Sequence, residues 1–146
     1  MKIEYQGPLG TTIGVTTTTP IPMASVPYSP DITPVIASSG NVAAATATAT
    51  ITSASGKTAY ITGFSVTGTG ATVALPVSVT VTGVLGGTLT YTYAAIAGAL
   101  LSNQPLVVAF DPPLPASATN TNIVVSCPSL GVGATNNTVV AQGYRL

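Results

Sequence analysis

Residues 76–93 read PVSVTVTGVLGGTLTYTY. Val77, Val79 and Val81 alternate with Ser78, Thr80 and Thr82; the stretch Gly83 to Gly87 interrupts the pattern; Leu89, Tyr91 and Tyr93 then alternate with threonines. A period of two puts one residue type on each face of an extended chain, and β-branched and aromatic side chains suit a pleated surface. The stretch therefore predicts two strands joined by a glycine-rich turn, each with one apolar face.

The same pattern extends in both directions. Small apolar residues alternate with threonine from Ala45 to Ile51, and TAYITGFSV follows the turn SASGK, opening a core strand through Tyr60, Phe64 and Val66. Downstream come PLVVAF with Leu106, Val108 and Phe110, NIVVSC with Ile123, Val125 and Cys127, and NTVVAQGY near the C-terminus. Glycine, proline and asparagine separate these short runs, and the one helical candidate, YAAIAGALL, contains Gly98. Strands with a single apolar face need a second sheet to cover it, so the expected fold is an all-β antiparallel sandwich. Spacing alone leaves immunoglobulin-like and jelly-roll strand orders both open.

The organisation changes near residue 40. Pro20, Pro22, Pro27, Pro30 and Pro34 forbid a helix and interrupt sheet ladders, so residues 1–41 are expected to form a long extended arm and 42–146 the sandwich domain. At about 3.3 Å per residue such an arm could reach on the order of 130 Å. It is not composed like a solvated linker, because apolar side chains punctuate it. Ile13, Val15, Ile21, Met23, Val26, Tyr28 and Ile32 are its expected partner-binding residues, docked on neighbouring copies or on another protein, the alternative being an arm folded back over its own domain.

Composition excludes several functions. Charged residues make up 4% of the 146, and Lys2, Glu4, Asp31, Lys57, Asp111 and Arg145 sum to zero. Three cations cannot neutralise a run of phosphates or hold an anionic bilayer, so neither nucleic acid nor membrane is an expected partner. A neutral surface invites association, which points to a surface covered by partners. No 18-residue apolar run is present, and MKIEYQGPLG lacks a signal-peptide core, so neither a membrane-spanning helix nor secretion is expected.

Chemistry is scarce as well. The triplet Gly56-Lys57-Thr58 resembles the end of a phosphate loop, but Ile51 stands where the first glycine belongs and a strand follows where a helix N-terminus is required. It is expected to be a turn. There is no histidine, and nothing in the spacing brings two of the three carboxylate side chains together. Cys127 reads as a small core hydrophobe, Asp111 as a turn cap before prolines, and Asn136 in NNT as a hairpin turn. An enzyme is not expected, nor a cofactor, a metal or a small-molecule substrate.

The stretches GKTAYITGFSVTGTGATVALPVSVTVTGVLGGTLTYTY, PLVVAFDPPLPASATNTNIVVSC and VVAQGYRL resemble small β-sandwich proteins of tailed bacteriophages. An extended arm followed by a compact sandwich resembles their capsid decoration, or cement, proteins. That resemblance implies a jelly-roll-like, homotrimeric knob on the outer surface of a phage head, reinforcing contacts between subunits of the major capsid protein. It transfers no individual site residue. The alternative is a head-fibre or tail component that recognises a host surface through sandwich loops.

Overall fold

The computed structural model describes residues 31–98 and 104–146 in full and residues 3–6 and 12–15 as backbone. Two short strands, β1 (Ile3–Gln6) and β2 (Thr12–Val15), pair antiparallel in a sheet of their own. Eight more follow: β3 (Thr33–Ser38), β4 (Ala47–Ile51), β5 (Ala59–Thr69), β6 (Leu75–Thr82), β7 (Leu89–Ala95), β8 (Leu106–Pro115), β9 (Ile123–Cys127) and β10 (Asn136–Arg145). No helix occurs among the described residues.

These eight strands form two antiparallel four-stranded sheets, in the orders β3-β10-β5-β8 and β4-β9-β6-β7. Their pairing is nested: β6 with β7, β5 with β8, β4 with β9, and β3 with β10. The chain thus behaves as one long hairpin folded over on itself, whose innermost turn lies at residues 83–88. Gly83 there has φ +81, and a side chain would run into the backbone carbonyl of Asn122, so only glycine fits.

The core lies between the sheets, as in a β-sandwich. Val77, Val79 and Val81 are buried as their alternation predicts, and so are Ala47, Ala49 and Ile51, and Ile123, Val125 and Cys127. Each buried valine or isoleucine contributes roughly 1.5–3 kcal/mol of transfer free energy. Ile61, Phe64, Val66, Val139 and Ala141 supply the opposite layer.

Three local expectations change. Tyr60 faces outward and stacks on Tyr144 with ring centroids 4.9 Å apart, while Phe64 and Val66 face inward. A register shift between Ile61 and Gly63 reverses the parity of β5, which is why even-numbered residues point to both faces of one strand. Tyr93 to Ala95 continue β7 instead of beginning a helix, and residues 99–101 of that candidate lie outside the described residues. Thr33–Ser38, within the stretch assigned to the arm, hydrogen-bonds to β10 as a strand of the sheet. Pro34 is accommodated because β3 is an edge strand, where a missing N–H need not break a ladder.

Candidate interaction surfaces

The residues with chemical potential are held in structural roles. Gly56 has φ +73, and its N–H donates to Asn120 Oδ1 at 2.8 Å. The N–H groups of Lys57 and Thr58 donate to the carbonyls of Ala54 and Leu146. All three amides of the triplet are therefore engaged by the protein, and the strand β5 follows directly. Lys57 Nζ donates to the backbone carbonyl of Asp31 at 3.2 Å, tying this turn to the segment that enters β3. Cys127 is fully buried; burial pushes its thiol up to about 11, with the Asn137 side chain acting weakly in the opposite direction. No group of three His, Cys, Asp or Glu that could hold a metal occurs among the described residues.

Asn136 and Asn137 begin β10 rather than forming a turn. Asn136 Nδ2 donates to Thr69 Oγ1, and Asn41 Nδ2 donates to Asn136 Oδ1. Asn137 is buried, and its Nδ2 donates to the carbonyls of Ala45 and Pro128. The pair therefore fastens the loops at this end of the sheets to β10. Asp111 lies within β8 before a cis bond to Pro112, and is not a turn cap.

The ends of the sandwich differ in charge. The segments 39–46, 70–74, 96–98, 104–105 and 128–135 meet at one end and contain no charged residue. Backbone bonds from Ala44 to Ala134, from Thr72 to Val132 and from Gly98 to Ala71 hold them together. Val73 and Val132 project there, 68% and 82% exposed. The opposite end carries Asp31, Lys57 and Arg145, whose Nη2 donates to Thr52 Oγ1 at 2.9 Å.

A second apolar surface is the outer face of the β3-β10-β5-β8 sheet. Ile36 and Val107 stand on it, 77% and 71% exposed. Beside Ile36 lies a shallow groove of about 300 Å³ bounded by Pro34, Thr62, Gln142 and Tyr144. A weak signal for this face exists in the sequence: Val107 and Val140 are apolar residues in the polar phase of their strands, each next to another valine.

The third surface is a gap in the sandwich wall. β3 and β4 approach each other and close one side, while β7 and β8 do not approach comparably. The gap is bridged at one end, where Val84 pairs with Ala116 and the Leu85 N–H donates to the Pro115 carbonyl. Along its middle the inward-facing Leu89, Tyr91, Leu106, Val108 and Phe110 remain half-buried, while Tyr93 and Ala95 further along β7 are buried. Towards the uncharged end a groove of about 290 Å³ on its outer side is bounded by Thr92, Ala94, Pro105 and Leu106.

Of the expected arm contacts, Ile32 is half-buried immediately before β3. Ile13 and Val15 lie in β2, where only the backbone is described. Ile21, Met23, Val26 and Tyr28 lie outside the described residues. Comparison of the chain with protein-family models, with curated proteins and with solved structures found no match.

Proposed function

We propose that the protein is a structural virion component: a decoration protein that binds the outside of a tailed-phage head and reinforces contacts between major capsid subunits. The observation that carries this reading is the extent of uncovered apolar surface on a domain almost without charge. Ile36, Val107, Val73 and Val132 are exposed, and one wall of the core is incompletely covered. The nested strand order supports it, being that of a jelly roll, an architecture used by viral capsid and lectin domains.

In this reading the arm and the sandwich act together. A protein that binds only the assembled shell stabilises it by mass action. Residues 1–32 supply apolar anchors ahead of the sandwich, and a docked knob raises their effective concentration at the shell. The sandwich self-associates as a homotrimer, which an uncharged surface permits without like-charge repulsion. With so few charges, binding is comparatively insensitive to salt.

The test uses heads of the parent phage assembled without this protein. Adding the protein should give saturable occupancy and a higher temperature of shell rupture. Replacing Ile21, Met23, Val26 and Tyr28 together by serine, or removing residues 1–30, should abolish both. The deletion stops ahead of Asp31 because β3 belongs to the sheet. Undiminished occupancy by either variant would remove the arm from the reading.

The exposed valines of the uncharged end favour a second reading, a head-fibre or tail component that touches a host surface. In that case Val132→Asp would abolish attachment to host cells and leave head occupancy unchanged.

A further inference from the structure

We infer that the gap between β7 and β8 is a strand-addition site, filled by the β1–β2 hairpin of a second copy of this chain. The inference rests on the self-association in the reading above and goes beyond it by naming the two surfaces that meet.

Two features of the molecule are incomplete in complementary ways. The first is the wall of the sandwich. Among the described strands, β7 lies at the end of its sheet and pairs with β6. Leu89 and Tyr91 on its inner face are half-buried, as are Val108 and Phe110 across the gap. Apolar side chains in this position gain if another strand covers them.

The other sheet edges are protected. β3 contains Pro34 and lies against β4. β8 carries Asp111, Pro112, Pro113 and Pro115, and its pairing with β5 is irregular. Charge, proline and irregular pairing are the usual defences of a sheet edge against an added strand. β7, LTYTYAA, has no charge and no proline. Its stretch Leu89–Thr92 is open to strand addition.

The second incomplete feature is the hairpin. β1 and β2 are four residues each and form a two-stranded sheet that joins neither of the larger sheets. A two-stranded hairpin is at best marginally stable in water, and a third strand with an apolar face is the ordinary remedy. Leu89–Thr92 offers a matching length. Among the described strands the hairpin pairs with neither larger sheet, which leaves its outer edge for a second molecule. The linking residues 16–30 span about 50 Å when extended, enough to cross from one small domain to the next. Such an exchange is head-to-tail, so it generates a closed ring when the rotation between copies closes, as in a trimer.

The experiment uses the full-length protein, with light scattering for mass and backbone amide exchange at Leu89–Thr92. The wild type should be a closed oligomer with slow exchange there. Gly14→Pro, which removes an N–H from β2, should give monomers in which exchange at Leu89–Thr92 rises on the order of tenfold or more. Thr90→Lys with Thr92→Lys should also give monomers, because both positions are exposed and charge guards an edge. Thr48→Lys, equally exposed on β4, should leave the oligomer intact.

A monomeric wild type, or an oligomer that survives both β2 and β7 variants, would overturn the inference. Slow exchange at β7 in a monomer would place the hairpin on its own chain and overturn it equally. A protein that oligomerises as stated but ignores phage heads would refute the decoration reading and leave this inference standing.

Discussion

The two sides of the sandwich are built from the same kind of alternating strand and finish differently. On the β3/β4 side, Ala47, Ala49 and Ile51 are fully buried and Val35 and Ala37 half-buried. On the β7/β8 side, Tyr93 and Ala95 are buried, but the larger Leu89, Tyr91, Leu106, Val108 and Phe110 are only half-buried. Side-chain size accounts for the contrast. Ala37 pairs directly with Ala141, and the β4 positions below them are also mostly alanine, so the sheets can come together. On the other side Phe64 meets Tyr91 edge-to-face at 5.4 Å and Phe110 at 6.2 Å, a cluster that holds the sheets apart. Aromatic bulk adds apolar area to a core, and here it also keeps one wall from closing.

The largest effect expected from testing this contrast is on the closed side. Gly143 sits at a register shift in β10, where an added Cβ would meet the Tyr60 carbonyl and the Ile51 side chain. Backbone cannot give way as a side-chain tip can, so Gly143→Ala should cost about 3 kcal/mol or more, read from the denaturant midpoint. Ile51→Ala, in the same region, should cost about 2–5 kcal/mol through lost burial and a cavity. Leu89→Ala on the open side removes a residue that water already reaches, and should cost about 1 kcal/mol. Equal losses for Ile51→Ala and Leu89→Ala would mean that the two walls are covered alike.

Asn137→Ala should fall between these, at about 1–3 kcal/mol, because it removes a buried amide whose part-buried hydrogen bonds hold the carbonyls of Ala45 and Pro128. Raised amide exchange in residues 39–46 and 128–135 would show that the loss is local to the uncharged end.

How far this molecule could be read in advance depended on which residues obeyed a single rule. Val77, Val79 and Val81 obeyed alternation alone, and their strand and its inner face were legible. β5 was legible as a strand, but the shift near Gly63 reverses its parity, so the outward Tyr60 could not be told from the inward Phe64 by counting. β3 was hidden because Pro34 speaks against a ladder, and an edge position that tolerates it exists only once the sheets are assembled. The triplet at Gly56 was legible as a turn, since its chemistry requires a helix that the following residues do not form. The surfaces were hardly legible at all. Exposure of Ile36 and Val107 is set by register between strands distant in sequence, and the gap beside β7 by aromatic packing across the core.

Cys127 offers a direct probe of the dry interior. Its pKa is raised from 9.0 to about 11, so the folded state retains the thiol proton that the unfolded chain gives up. The stabilisation is fully present below pH 9 and is lost as pH rises towards 11. Wild type should therefore lose stability relative to Cys127→Ala across that window, with the difference between them constant below it. At pH 8 the thiol should resist a soluble alkylating reagent until the protein is unfolded. β9 lies beside β6, which alone separates it from β7, so slow labelling would show that water entering the β7/β8 gap stops short of Cys127. Rapid labelling in native conditions would mean that the open side reaches through the core, and that the contrast between the two walls extends further than side-chain exposure indicates.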